Sequence, residues 1–284
     1  MKLYKKRELY GFLLVLPFLI GFMLFYIIPF FISVAYTFTS GIGGLKFVGF
    51  DNYIEVVESY AFKLAAGNTF KFIGLGVPSI MICSLVIALA IHHCVGNTSF
   101  FRASFLYPMV VPIGSTVMFF QIFLAEKGVL NDIYTKLGLP VRNWLMSSDA
   151  FWVLLVLYIW KNCGYNIILF LTGLNTIPAD YKEEANLEGC STMRYFWHIE
   201  SPLLIPSYLF VFVMSVINAF KCYREAYLLS GQYPDKSIYM LQHFMNNNFE
   251  TLNYQRLSVA AIIIFAVIFL VVGVMFFLKA RAER

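Results

Sequence analysis

The 284-residue chain is 60% hydrophobic and 13% charged, with a mean hydropathy of +0.73, whereas ordinary soluble domains are about a quarter charged. These values exclude a soluble globular domain and describe a polytopic membrane protein. The net charge of +5 is modest and calls for no nucleic acid, because the basic residues gather at the chain ends, where they suit an anionic membrane surface. Cys83, Cys94, Cys163, Cys190 and Cys222 form no C-x-x-C pair, so the cysteines indicate neither a zinc site nor a disulfide framework.

In chain order, the basic cluster MKLYKKR precedes an uncharged run of roughly 29 residues, Gly11 to Thr39, longer than the ~20 needed to span a bilayer. A cleaved signal peptide has a shorter apolar core, so this run is read as a first transmembrane helix, with kinks expected at Pro17 and Pro29. A polar loop from Gly41 to Thr69 follows. The second span is Phe72 to Ile91. The third, Ala103 to Ala125, is interrupted by Pro108, Pro112 and Gly114. Broken helices at membrane depth are tolerated only against protein or a water-filled cavity, so this helix is expected to face inward. Gly128 to Ser148 reads as an amphipathic connector, and Trp144 and Trp152 sit where an aromatic belt would place them. The fourth span runs from Ala150 to Ile177, the fifth from Leu203 to Phe220 and the sixth from Leu257 to Leu278, with a long polar loop between the last two. Six spans place both termini on one side. No internal repeat or linker interrupts the chain, so residues 1–284 are read as a single transmembrane domain of all-α class.

Polar chemistry within the membrane concentrates on the fourth span. Tyr158, Lys161, Asn162 and Tyr165 fall at i, i+3, i+4 and i+7, one helix face, with Asn166 at its edge. Ser207, Ser215, Asn218 and Cys222 make a thinner stripe on the fifth. Amides and hydroxyls replace the hydration of a polyol, and aromatic rings cover the apolar faces of a sugar. Tyr158, Lys161, Asn162, Tyr165 and Asn218 are therefore candidates to line a solute path. The same stripe also suits hydrogen bonding between neighbouring helices.

Between the fourth and fifth spans lies a charged island, residues 178–202, PADYKEEANLEGCSTMRYFWHIESP. Asp180 with Glu183 has the form of a helix N-terminus. Gly189 supplies a residue free to take positive φ, and Ser191 is placed to cap a second short helix, Thr192 to His198, which Pro202 is expected to break. Glu183, Glu184, Ala185, Gly189, Ile199 and Pro202 match the spacing E-A-A-x3-G-x9-I-x-L-P. This closely resembles the "EAA" loop of permease subunits of binding-protein-dependent ABC importers, with Glu184 in place of the first Ala and Ser201 in place of Leu. FVGFDNY after the first helix, RASFLYPMVVP, WKNCGYNIILFLTGLNTIPADY and AYLLSGQYP extend the resemblance to the carbohydrate-uptake branch, in the subunit type akin to the maltose and glycerol-3-phosphate permeases.

The resemblance implies a type I importer permease of six helices, paired with a second permease subunit, two cytoplasmic ATPase subunits and an extracellular solute-binding protein that delivers a sugar. The island would be the coupling helix that docks on the ATPase. No G-x-x-x-x-G-K-[ST] loop occurs in the chain, so nucleotide and its Mg are expected on the partner ATPase, and no cofactor, metal or catalytic residue is expected here. Lys and Arg number ten over roughly 54 residues on the side of the termini and the island, against nine over roughly 91 on the other. That density places the termini and the island in the cytoplasm. An intramembrane enzyme would need convergent His, Asp or Ser groups, and the four histidines are scattered along the chain. An ion-coupled transporter would be expected to carry acidic residues in its spans, and the six predicted spans have none.

Overall fold

A computed structural model describes residues 2–41, 46–94 and 99–282. Among these residues, five helices are long and apolar enough to cross a membrane: Tyr10–Thr37, Tyr60–His93, Ala150–Leu174, Ile205–Ser230 and Tyr254–Phe277. A bent pair, Ala103–Val110 and Ile113–Phe123, is apolar enough to count as a sixth when its halves are taken together, with an angle of 88° between them. The polytopic all-α class and the order of the spans are as read from the sequence. The break falls at Val111 and Pro112, while Pro108 is accommodated inside the first half.

The chain groups into two compact units, Met1–Lys63 with Phe244–Val274 and Leu64–His243 with Met275–Arg284. In the first unit, α1 (Lys2–Phe22) passes through a π-helical turn, Met23–Ile27, into α2 (Ile28–Thr37). Pro29 has no N–H for the carbonyl four residues back, and its ring crowds that carbonyl. The wider turn absorbs both, with the Ile28 N–H reaching back to the Met23 carbonyl. What was expected to be polar loop is folded. Strands β1 (Thr39–Ser40) and β2 (Lys46–Phe47) pair antiparallel, and α3 (Asp51–Glu58) follows. Asn52 donates to the carbonyls of Thr37 (3.0 Å) and Thr39 (2.9 Å), satisfying groups that the end of α2 leaves open. Arg256 pairs with Glu55, and Phe30 meets Phe265 edge-on at 5.2 Å.

In α4 (Tyr60–Cys94) 35 residues form one helix, far longer than the predicted Phe72 to Ile91. At 1.5 Å per residue it is about 52 Å long, against ~30 Å of bilayer hydrocarbon. The second unit contains most of it, together with α5 (Ser99–Val110), α6 (Ile113–Phe123), α7 (Val129–Lys136) and α8 (Ala150–Leu174). The region between the fifth and sixth spans is likewise largely folded rather than loop: α13 (Tyr223–Ser230) and α14 (Leu241–Glu250) occupy half of it.

The core of the second unit is built around α8. Leu154, Leu157, Ile167, Phe170 and Leu174 are fully buried there. Helices in lipid gain little from apolar burial against one another and associate where small residues let backbones approach. Gly164 is such a residue: a Cβ built on it would lie 1.7 Å from the Phe105 carbonyl oxygen of α5. Gly164→Ala is therefore expected to push α5 off α8 at a cost of about 1–3 kcal/mol. A lowered midpoint of thermal aggregation in detergent would register it, with Gly114→Ala, whose Cβ meets nothing within 4 Å, as the unaffected control.

Candidate functional site

The island folds as two short arms around a glycine turn. Its first arm, α9 (Asp180–Leu187), starts after Ala179 with no side-chain cap, and Asp180 and Glu183 sit in the first turn, where carboxylates favour the helix dipole. Gly189 has φ +70. The Cys190 N–H bonds the Ala185 carbonyl at 2.9 Å, and the Gly189 N–H bonds the Asn186 carbonyl at 3.1 Å. These two bonds are a Schellman closure, which needs a left-handed residue at the glycine position. Ser191 Oγ accepts the Arg194 N–H at 3.4 Å and opens the second arm, α10 (Thr192–Tyr195).

Pro202 does not break the second arm. A π-helical turn over Phe196–Glu200 widens the backbone just before it, with the Ser201 N–H reaching the Phe196 carbonyl, and α11 (Ser201–Leu203) continues. The interruption comes at Leu204, ahead of α12 (Ile205–Lys221). The device is the one that accommodates Pro29.

Of the predicted island residues, Ala185 is buried and Ile199 half-buried, while Glu183, Glu184, Gly189 and Pro202 are exposed. Exposed apolar side chains accompany them: Tyr181, Leu187, Met193 and Trp197, with Leu187 open over 89% of its surface. Tyr195 is buried, and burial, followed by the nearby Glu200 carboxylate, holds its phenol above the usual pKa, so it remains neutral.

The island is tied to α4. Lys182 Nζ lies 3.1 Å from His93 Nδ1, and His93 Nε2 lies 3.3 Å from Glu200 Oε1. His92 stands beside His93, ring centroids 5.2 Å apart. The sequence places these histidines at a helix end without partners. The fold brings a lysine from one arm and a glutamate from the other onto them, while His198 and His243 stay elsewhere.

The polar face of α8 divides in two. Tyr158 is buried and donates to the Ser215 carbonyl at 2.8 Å, and Asn166 donates to Ser215 Oγ at 2.8 Å. Both join α8 to α12. Lys161, Asn162, Tyr165 and Asn218 are only half-buried. Lys161 Nζ is 2.6 Å from Glu225 Oε1, and Asn162 donates to the Tyr158 carbonyl at 2.9 Å. Glu225 escaped sequence reasoning because it lies beyond the predicted fifth span. In the structure it belongs to a continuation of that span, Ile205–Ser230.

A family described as "Binding-protein-dependent transport system inner membrane component" matches residues 68–284. The chain belongs to this family. It is a multi-pass permease subunit of the ABC transporter type. It is 31% identical, over 80% of its length and 75% of the relative's, to a probable ABC transporter permease protein of Bacillus subtilis (strain 168). It is 29% identical, over 90% of its length and 89% of the relative's, to a multiple sugar-binding transport system permease protein of Streptococcus mutans serotype c. Its fold matches a chain in the crystal structure of a bacterial ABC transporter involved in the import of the acidic polysaccharide alginate. That match has a TM-score of 0.87 and 20% identity and covers all of both chains.

The Lys161–Glu225 pair gives this permease a testable internal constraint. Removing Lys161 leaves the buried Glu225 carboxylate unpaired, which costs about 3–5 kcal/mol, removing Glu225 leaves a half-buried ammonium at a smaller cost, and replacing both by apolar groups is often neutral. Lys161→Met and Glu225→Leu are each expected to lower the yield and thermal midpoint of the purified protein, and the double variant to recover most of the loss. Additive losses in the double variant would contradict the pairing.

Proposed function

We propose that this permease is the membrane-spanning subunit of an ATP-driven sugar importer, forming half of a translocation path whose other half is a second, similar permease. The observation that carries the proposal is the island: two arms closed by a Schellman glycine, with exposed Tyr181, Leu187, Met193 and Trp197, in a chain of this family. Aromatic and other large apolar side chains left open on a short helical unit suit docking into a protein groove.

On this reading the island and both termini are cytoplasmic, and the island docks on one of two ATPase subunits. ATP and Mg bind there, on the partner subunit. An extracellular solute-binding protein delivers the solute. Sugar as the solute class is supported by the relative from S. mutans, named for multiple-sugar transport, and by the mixture of amides and aromatic rings on α8 and α12. Within that face, Tyr165 and Asn218 are the lining candidates with side chains uncommitted among the described residues, and Asn162 shares the α8 face of Tyr165. Tyr158 serves packing. Lys161 and Glu225 together add no net charge to the path.

Docking and lining are tested separately. Gly189→Pro replaces a residue at φ +70 by one locked near −65°. It is expected to abolish ATP-dependent uptake and co-purification of the ATPase while the chain still inserts in the membrane, and normal uptake would reject the coupling role. Asn218→Ala and Asn162→Ala are expected to raise the KM for uptake several-fold with the assembly intact, consistent with about 1 kcal/mol for each lost hydrogen bond. Unchanged KM for every accepted solute would remove them from the path.

A further inference from the structure

The cluster that ties α4 to the island has a composition that hydrogen bonding alone does not use up. His92, His93 and Glu200 each present one ligand atom, and these atoms lie within 4.8 Å of one another. Glu200 is buried to 1% exposure, and its Oε2 has no hydrogen-bond partner. A buried carboxylate oxygen without a donor is costly, and a bound cation satisfies it. The histidines are half-buried, so the cluster is closed on the carboxylate side and reachable on the imidazole side. Two imidazoles and one carboxylate form a ligand set for a borderline divalent cation of the zinc class, which leaves a fourth position for water.

We propose that His92, His93 and Glu200 form a binding site for a divalent transition cation, and that Lys182 competes with the metal for it. Without metal, the Lys182 ammonium donates to His93 Nδ1, so the ring proton sits on Nε2 and points at Glu200 Oε1. A cation held between Nε2 and Glu200 takes the place of that proton. The neutral ring must then carry its proton on Nδ1, facing the Lys182 ammonium, and the two donors repel. Metal binding and the Lys182–His93 contact exclude each other. Because Lys182 belongs to α9, an occupied site releases the first arm of the island from α4 while gripping the second arm through Glu200. The sequence conceals the site, because the adjacent histidines and Glu200 stand on segments far apart in the chain.

The probe is Co²⁺, whose visible absorption band reports four- or five-coordinate nitrogen and oxygen ligation. The full-length chain, carrying an affinity tag without histidine, is titrated in lipid nanodiscs, and Zn²⁺ is then added to displace the Co²⁺. One Co²⁺ per chain is expected, with the band abolished by Zn²⁺. Glu200→Gln and His93→Gln are each expected to weaken binding at least about tenfold. Lys182→Gln is expected to tighten it, a gain that misfolding cannot imitate. Absence of the band, or a band unchanged in Glu200→Gln and Lys182→Gln alike, overturns the site. A band lost only on replacing His198 or His243 overturns it as well.

Discussion

The second unit depends on how closely other backbones approach α8. Lipid tails are as apolar as leucine side chains, so no hydrophobic force holds one spanning helix to another, and contact must come from packing and polar pairs. Gly164 supplies the packing by admitting the Phe105 carbonyl, and Tyr158, Asn166 and Lys161 supply the pairs toward α12 and α13. Once α5 rests on that glycine, the 88° turn at Val111 and Pro112 starts from a fixed base. Once α12 is bonded through Ser215, the island that leads into it is anchored at its far end. The position of the polar face follows from these contacts.

Much of this was legible in the sequence. Apolar runs gave the spans, the Pro and Gly residues of the third span announced its break, and the island's spacing announced a glycine-closed turn that the Ala185–Cys190 bond bears out. Polar segments misled because polarity alone does not distinguish loop from helix. Asn52 and Thr69 lie in what reads as loop, yet they cap neighbouring segments: Asn52 through two carbonyls of the β1 approach, and Thr69 through the Leu241 N–H at 3.0 Å. Such bonds join positions far apart in the chain and leave no periodic trace. The same is true of the partners on the polar face. Lys161 on a helix face is visible in the sequence, whereas Glu225, 64 residues away, is visible only once α13 continues the fifth span and brings its carboxylate to the lysine.

Proline was misread in an instructive way. Pro29 and Pro202 each follow a π-helical turn that reroutes one backbone bond and leaves the helix path open. Pro202, read as a stop, and Pro29, read as a kink, each mark a point where the helix is widened rather than ended. For the island this means that the second arm runs on through Pro202 to Leu204, so displacement of the arm is carried toward α12 by helix rather than absorbed by a loose linker.

The first span obeys a different constraint. None of its most apolar stretch is buried, Phe18, Phe25 and Tyr26 stand open, and its aromatic side chains stack mainly on one another, Phe18 on Phe22 and Phe22 on Tyr26. Phe30 and Tyr36 hold its C-terminal half to Phe265 and Tyr254, while the N-terminal half is open to partition into the surrounding amphiphile and so responds to acyl-chain length and micelle curvature. A short-chain detergent can leave the α8 core intact while the open half of this helix shifts from its membrane position. Thermal curves and ring-current signals from the core then report a sound protein in which that half has already left its place, so a preparation is best judged by a probe attached to that half itself.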